Sequence, residues 1–141
     1  MLVNIDHITD LIPQRSPFVM IDALAYQEEH RTGTQFRIRE DNLFLRNGRL
    51  EAVALVENIA QTAAAAAGYK AVQSGGKVLV GFIGAIKNLE IVDLPVAGDL
   101  LETETCELQS ILNVSSVEGK VFCGGKLLAR AEMKIFMQPD P

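Results

Sequence analysis

The chain has 141 residues, of which 48% are hydrophobic and 22% are charged, and its formal net charge is −5 at pH 7. This length fits one domain with one core, and the composition is that of a globular protein rather than of a disordered or membrane protein. The acidic balance opposes a general nucleic-acid role, because phosphate binding needs an excess of basic side chains on one face. We therefore expect a single domain over residues 1–141.

The sequence indicates a cytoplasmic protein without a membrane span, a metal site or a cofactor. Residues 1–11 lack the basic, apolar and small-residue regions of a signal peptide. The longest weakly polar stretch, residues 52–68, is interrupted by polar side chains and is too polar for a bilayer span. Cys106 and Cys123 lie in strand-like segments without histidines at ligand spacing, so we expect core or half-buried thiols.

The first part of the chain predicts a short helix followed by a hairpin. Residues 11–18 (LIPQRSPF) indicate a short helix that ends in a fixed loop. Residues 18–26 favour a mostly buried strand, and residues 34–40 alternate so that Phe36 and Ile38 share one face. The charged segment EEHRTG between them predicts the turn. We interpret both histidines of the chain, His7 and His30, as surface residues.

One long helix is predicted over residues 50–72, with Ser74-Gly75-Gly76 as its stop signal. A helix that is apolar on nearly every side is normally buried, so we expect a sheet to wrap it. Its polar residues form a single narrow stripe at helical spacing: Glu57, Asn58, Gln61 and Thr62.

Four strands are predicted after the helix, over residues 78–86, 100–109, 111–117 and 121–137. Turns are expected at residues 95–99, where Gly98 allows the bend and Asp99 caps it, and at Glu118-Gly119. The alternation in ETETCELQ and ARAEMKIF suits antiparallel strands with one covered face. This order predicts an α+β protein of the hotdog fold, in which a curved antiparallel sheet wraps one long central helix.

Three segments of the chain, taken in order, match known sequence motifs. Residues 11–22 read LIPQRSPFVMID, residues 54–62 read ALVENIAQT and residues 94–102 read LPVAGDLLE. Together they resemble the bacterial 3-hydroxyacyl-acyl-carrier-protein dehydratases of fatty-acid synthesis. The first segment is similar to that family's opening L-x-P-H-R-x-P-F-x-x-x-D, with Gln14 in place of the usual His. The second resembles the helix motif L-x-E-x-x-A-Q, which places Glu57 at the position of the acid, and the third is similar to the turn P-V-x-P-G-D-x-L.

The segment before the helix departs from that family. The family carries its catalytic His in G-H-F-P-G-x-P-x-x-P-G, whereas residues 43–57 read LFLRNGRLEAVALVE and contain no His. The shortened loop is most similar to the dehydratase-like subunits of aryl-polyene pigment gene clusters. That resemblance implies work on carrier-bound acyl chains and is compatible with a second hotdog subunit.

We expect the substrate to be an acyl-carrier-protein or coenzyme A thioester. We also expect a homodimer or a heterodimer with another hotdog subunit, because a sheet wrapped on one helix leaves one long strand edge unpaired.

Removal of water from a 3-hydroxyacyl thioester needs an acid, a base and hydrogen-bond donors at the thioester oxygen. We assign the acid to Glu57, and we expect Gln61, one turn further on, to orient it or to hold a water. Backbone N–H groups of residues 48–52 are candidates for the thioester carbonyl. For the base, the remaining candidates are Glu51, Asp41 or a residue of a partner subunit. Alternatively, Glu57 and Gln61 satisfy one another or cross a dimer interface.

The candidate substrate contacts surround the helix start and are Arg46, Asn47, Gly48, Arg49 and Asn58. The Asn47-Gly48 loop is expected at the mouth of the Glu57 pocket, and arginine forks suit a phosphopantetheine phosphate or an acidic carrier protein. Arg37 and Arg39 share an exposed strand face and form either a second such patch or a solvated surface.

Three functions fit these residues. The chain is a dehydratase or a dehydratase subunit with Glu57 as the acid, or a hotdog thioesterase in which Glu57 activates water or attacks the thioester. The third is a non-catalytic subunit that binds acyl chains or stabilises an active dehydratase through a shared interface.

Overall fold

The computed structural model describes residues 1–138, in which one long helix packs on a six-stranded antiparallel sheet. The elements are β1 (Ala23–Gln27), β2 (Arg31–Arg37), β3 (Leu45–Arg46), β4 (Arg49–Leu50), α1 (Ala52–Gln73), β5 (Gly81–Ile91), β6 (Leu100–Ile111), β7 (Val114–Cys123) and β8 (Lys126–Met137). The sheet has the order β1-β2-β6-β7-β8-β5, and β3 and β4 form a separate hairpin. Helix α1 contacts all six strands of the sheet, as expected for a wrapped helix.

Helix α1 matches the predicted helix over residues 50–72 to within two residues at each end. Gly75 follows it with φ of 77°, in the left-handed region, and the N–H of Gly76 donates to the carbonyl of Ala71 at 2.7 Å. This glycine supplies the termination that the stop signal predicts. On the side of the helix that joins the core, Leu55 and Ile59 are fully buried.

Strands β1 and β2 form the predicted antiparallel hairpin. Phe36 and Ile38 are both buried, which confirms their common covered face. Strand β1 begins at Ala23 rather than at residue 18, because Phe18 and Met20 are hydrogen-bonded to side chains of α1 instead of to a neighbouring strand.

The predicted turn at Glu118-Gly119 is wrong, since both residues lie inside β7. The turns fall instead at Leu112-Asn113 and at Gly124-Gly125, where Leu112 and both glycines have positive φ. A Cβ at Gly119 would collide with the side chain of Ile59 on α1. Close packing of helix on sheet therefore explains this glycine.

The predicted short helix over residues 11–18 is also wrong. This segment has no regular secondary structure, and a single 3₁₀ turn precedes it at Ile8–Asp10. Its two prolines lack the backbone donors that a helix needs. The segment lies against α1 instead, with the Leu11 carbonyl so close to Gly68 that a Cβ there would collide with it.

The predicted turn at residues 95–99 is present next to the helix start. Gly98 has φ of 94°, and Oδ2 of Asp99 accepts a hydrogen bond from the N–H of Val96 at 3.0 Å. The Pro95 carbonyl accepts a hydrogen bond from the N–H of Leu50 at 2.8 Å. The turn thus fixes strand β4 and the entrance to α1.

The core consists of two clusters of buried side chains. The larger joins α1 to the sheet around Leu55 and Leu101, and the smaller joins the amino-terminal segment to α1 around Ile12. Cys106 and Cys123 are half-buried free thiols, as predicted. Within residues 1–138, no helix combines the length and apolar character needed to cross a membrane.

Candidate active site

A cavity of about 650 Å³ lies between α1 and the sheet. This volume falls in the range of small-molecule sites in proteins. The sheet side of the cavity includes Thr32, Thr105, Val117 and Ile135. The helix side consists mainly of small side chains that follow one another along α1: Ala60, Ala63, Ala64, Ala66 and Ala67.

Glu57 lies on the wall of this cavity and is half-buried. Its Oε1 accepts a hydrogen bond from Nε2 of Gln61 at 3.1 Å. None of the ion pairs formed within residues 1–138 includes Glu57. A half-buried carboxyl group without a basic partner can exchange a proton with a molecule bound in the cavity.

Gln61 is fully buried and is not among the residues that line the cavity. Its Oε1 accepts a hydrogen bond from the N–H of Met20 at 2.6 Å, and its Nε2 donates to the carbonyl of Phe18 at 2.8 Å as well as to Glu57. The carboxamide therefore joins α1, the segment before β1 and the candidate acid. This geometry lets Gln61 orient Glu57, with both amide hydrogens in use.

Asn58 and Thr62, the other members of the polar stripe, are bonded within the protein. Asn58 is 1% exposed; its Nδ2 donates to the carbonyl of Met20 at 2.7 Å, and its Oδ1 accepts from the Thr103 hydroxyl. The Thr62 hydroxyl bonds to the Asn58 carbonyl and to Oγ1 of Thr34. Asn58, which the sequence predicts to contact the substrate, instead uses its side chain to join α1 to β6 and to Met20.

The four candidate substrate contacts ahead of the helix lie together on the β3–β4 hairpin: Arg46, Asn47, Gly48 and Arg49. Asn47 and Gly48 form its turn, with φ of 54° and 79°. All four are exposed, and none lines the cavity, contrary to the expected position at its mouth. Their part in substrate binding stays a prediction.

Two of the backbone donors expected to bind a thioester oxygen are already bonded. The N–H of Leu50 donates to Pro95 at 2.8 Å, and the N–H of Glu51 donates to the carbonyl of Phe44 at 2.9 Å. The two candidate bases on this chain also lie away from the cavity. The Glu51 carboxylate faces Arg46 at 3.5 Å, and Asp41 lines a different pocket.

Arg37 and Arg39 are engaged within the chain. Nη1 of Arg37 donates to the carbonyl of Gly98 at 2.8 Å, and Nη2 of Arg39 donates to Oδ1 of Asp22 at 3.1 Å. These contacts favour the structural interpretation of the pair over a phosphate-binding patch.

Two residues that the sequence did not assign to a site line the cavity, Gln14 and His30. Oε1 of Gln14 is buried and has no hydrogen-bond partner within residues 1–138. His30 is exposed, as a surface residue should be, but it borders the cavity together with Lys70 and Glu107. A sequence signal was available for Gln14, because it replaces the usual His of the family motif. No sequence signal was available for His30, because nothing in the sequence places the β1–β2 turn beside the end of α1.

A polar network outside the cavity joins β1, β2 and β6. The Tyr26 hydroxyl donates to Oε2 of Glu104 at 2.6 Å, and Arg31 donates to the same oxygen at 2.7 Å. Burial, followed by the hydrogen bond to Glu104, raises the pKa of Tyr26 to about 12. That hydrogen bond in turn lowers the pKa of Glu104. Among the described residues, no group of three or more His, Cys, Asp or Glu side chains could hold a metal ion.

The fold and the cavity define the class of the protein as a hotdog protein with one helix carboxyl group facing the space between helix and sheet. The chain belongs to the ApeP-like dehydratase family, since the family model described as ApeP dehydratase matches residues 6–141. This membership confirms the family resemblance seen in the sequence.

Individual relatives agree with that assignment. The chain is 30% identical over 139 residues to 3-hydroxyacyl-acyl-carrier-protein dehydratase FabZ of Caldicellulosiruptor bescii, covering 90% of this chain and 97% of the relative. Among solved structures, the dehydratase heterocomplex ApeI:P from Xenorhabdus doucetiae has a TM-score of 0.89 at 16% identity, covering 94% of this chain and 91% of that one. A hypothetical thioesterase with coenzyme A from Streptococcus pneumoniae has a TM-score of 0.65 at 9% identity, covering 83% and 85%. The structural likenesses confirm the predicted hotdog fold.

Proposed function

We propose that this chain is a subunit of a 3-hydroxyacyl thioester dehydratase of fatty-acid or polyene-type biosynthesis, in which Glu57 is the general acid. The observation that carries the proposal is the place of Glu57, a half-buried carboxyl group on the wall of an alanine-lined cavity. Family membership and 30% identity to FabZ support the reaction class. The row of small apolar side chains along α1 favours a slender apolar ligand such as an acyl chain.

Dehydration breaks the C–O bond at carbon 3 and a C–H bond at carbon 2 of the acyl chain. Glu57, in its protonated form, donates its proton to the 3-hydroxyl group, which leaves as water. A base takes the proton from carbon 2, and the electron pair of that C–H bond forms the double bond. Gln61 holds Oε1 of Glu57 by a hydrogen bond, which leaves the other carboxyl oxygen to carry the proton.

The base is supplied by a second subunit in this proposal. Besides Glu57, the titratable residues lining the cavity are His30, Lys70 and Glu107. Lys70 lies more than three helical turns beyond Glu57, or about 20 Å along the helix axis. His30 and Glu107 belong to that far end, because Nζ of Lys70 donates to the carbonyl of Glu29 at 3.0 Å and Nδ1 of His30 lies 3.8 Å from Oε1 of Glu107. A base there is too distant from carbons held at Glu57.

The edge strand β5 is the surface we propose for that second subunit. It ends the sheet, so its outer backbone groups have no neighbouring strand. Phe82, Ile83 and Ile86 on this strand are 57%, 38% and 41% exposed. Phe82 and Ile83 also line the cavity, so a partner covering this edge would close the cavity as well.

The partner is either a second copy of this chain or a different hotdog subunit, as the ApeI:P heterocomplex exemplifies for another protein. The acyl group is carried by an acyl carrier protein or by coenzyme A. The exposed arginines of the β3–β4 hairpin, Arg46 and Arg49, are the proposed contacts for its phosphate or for an acidic carrier surface.

Sedimentation tests the interface. Ile86→Glu places a charge on the β5 edge and should weaken association, whereas Leu108→Glu, which charges a 58% exposed apolar position on β6, should not. A stable wild-type monomer at micromolar concentration, alone and with candidate hotdog partners, would contradict the interface.

Product analysis tests the reaction. The purified chain, alone and mixed with a candidate second hotdog subunit, is incubated with 3-hydroxyacyl thioesters, and the products are identified by mass spectrometry. Loss of water that increases with the partner and disappears in Glu57→Gln supports the proposal. With a different hotdog subunit as the partner, the chain alone should be slower by about 10²- to 10⁴-fold, the usual contribution of a general base. Fast dehydration by the isolated chain would assign the base to a second copy of this chain, and dehydration that survives Glu57→Gln would contradict the proposal.

Thioester hydrolysis is the second candidate, favoured by the isolation of Glu57 from other titratable groups in the cavity. One helix carboxylate is sufficient to activate water or to attack a thioester. The same assay separates the two reactions, because hydrolysis releases a free thiol. If neither product forms and the chain still pairs tightly with another hotdog subunit, a non-catalytic role follows.

A further inference from the structure

The side chain of Gln14 has a polar atom that the fold does not use. Its Oε1 is buried, lacks a hydrogen-bond partner within residues 1–138, and belongs to a residue that lines the same cavity as Glu57. Buried polar side-chain atoms are nearly always paired in native proteins, so an orphaned acceptor in a cavity calls for an explanation.

A loose loop does not explain it, because the backbone around Gln14 is held firmly. Nη1 of Arg15 donates to the carbonyls of Ile12 at 2.8 Å and of Gln14 at 2.7 Å. On one side, Leu11 packs against Gly68 of α1. On the other side, the Phe18 carbonyl accepts a hydrogen bond from Gln61. The Gln14 side chain therefore borders the cavity from a fixed support.

The side chain of Gln61 holds both the segment that carries Gln14 and the candidate acid, Glu57. Nε2 of Gln61 donates to the carbonyl of Phe18, in the segment that carries Gln14, and also to Oε1 of Glu57. Gln14 and Glu57 thus reach one cavity from two elements that Gln61 joins. A ligand whose reacting carbons lie at Glu57 brings its polar groups close to this junction.

The partner of an amide oxygen must be a hydrogen-bond donor. A 3-hydroxyacyl thioester offers two kinds of donor, the 3-hydroxyl group of the acyl chain and the amide N–H groups of the pantetheine arm. We propose that Gln14 is a substrate-positioning residue whose Oε1 accepts a hydrogen bond from the 3-hydroxyl group; this inference rests on the proposed dehydratase function. With the hydroxyl hydrogen directed at Gln14, the lone pairs of the hydroxyl oxygen face Glu57 for protonation. Gln14 itself neither gives nor takes a proton.

One consequence is discrimination between substrate and product. The 2-enoyl product has lost the 3-hydroxyl group, so it leaves Oε1 of Gln14 unpaired again. A site built to hydrogen-bond a hydroxyl group disfavours the analogue that lacks it, because the buried acceptor then has no partner. Gln14 would therefore favour entry of the substrate and release of the product.

The test measures dissociation constants for three coenzyme A thioesters of equal chain length: 3-hydroxyacyl, 2-enoyl and saturated. All proteins carry Glu57→Gln, so that no ligand is consumed. Gln14→Met keeps the length of the side chain and removes the acceptor. The matched control is Gln35→Met, another half-buried glutamine, which does not line the cavity. Melting temperatures check folding, and Gln14→Met should be no less stable, since it removes an unpaired buried polar atom.

Gln14→Met should weaken binding of the 3-hydroxyacyl thioester about fivefold to a hundredfold and leave the other two unchanged. The control should bind all three as the parent does. Equal weakening of all three ligands by Gln14→Met would overturn the assignment to the 3-hydroxyl group and point to a pantetheine amide. Unchanged binding of all three would overturn the role of Gln14 while leaving the proposed function intact. If the parent binds none of the three, this inference fails, whereas the proposed function, which also allows a carrier-protein thioester, is still decided by product analysis.

Discussion

Replacing Gln61 with Leu tests whether this side chain holds the site together or takes part in the reaction. Leucine fills a similar volume but leaves the N–H of Met20, a fully buried residue, without its acceptor. An unpaired buried donor costs about 1–3 kcal/mol. The other two partners are less enclosed, because Phe18 as a residue is 55% exposed and Glu57 lines the cavity. We therefore expect the free energy of unfolding to fall by about 2 kcal/mol.

Urea denaturation measures this loss, and the melting temperature should fall by about 8 °C, at about 4 °C per kcal/mol for a chain of this size. The matched control is Gln73→Leu, which makes the same change at an exposed position of the same helix and should cost little. Turnover in Gln61→Leu should fall with the ordering of Glu57. A Gln61→Leu protein that kept its stability and lost its turnover would refute the reasoning, because the amide would then act in the chemistry itself.

The structure predicts the outcomes of three further substitutions. Glu57→Gln should lower the rate of dehydration about 10²- to 10⁴-fold. Its melting temperature should be unchanged or higher, because the new amide oxygen still accepts the hydrogen bond from Gln61. A large loss of stability would indicate that the Glu57 carboxylate has a structural role instead. Gly119→Ala should cost about 1–3 kcal/mol in urea denaturation, since the new Cβ displaces Ile59, and a neutral result would contradict the close packing. Tyr26→Phe should cost about 1 kcal/mol at neutral pH by removing the hydrogen bond to the Glu104 carboxylate. The folded-state pKa of Tyr26 is raised from 10.0 to about 12, so this stabilisation should be complete below pH 10 and disappear as the pH rises through 12. If the difference in stability between the wild type and Tyr26→Phe stayed constant between pH 10 and pH 12, the Tyr26 hydroxyl would be excluded as its source.

Helix α1 and the covered face of β2 were predictable because the signals for them are local. The helix end depends on Gly75 adopting positive φ within a few residues of the last turn, and the face that β2 shares with the residue after it follows from simple alternation at Phe36 and Ile38. Gly119 shows where such signals fail. A glycine suits a turn and a close approach equally well, and only Ile59, distant in the chain, decides between them.

The β3–β4 hairpin marks a different limit. Its arginines and its Asn47-Gly48 turn are visible in the sequence, but their distance from the cavity depends on how residues 95–99 hold strand β4. The sequence resemblance correctly identified the family, whereas the position of this shortened loop relative to the cavity had no motif to indicate it.

The polar stripe on α1 shows how the structure separates residues that spacing alone groups together. Glu57 and Asn58 are neighbours, so their side chains leave the helix about 100° apart. That angle turns Asn58 towards Thr103 of β6, where both ends of its carboxamide are bonded, and turns Glu57 towards the cavity. Residues far away in the chain determine which of these two directions faces a strand and which faces the cavity. Glu57 is the member of the stripe that lines the cavity, and a polar group that the fold does not need for its own hydrogen bonds is the one free to act on a ligand.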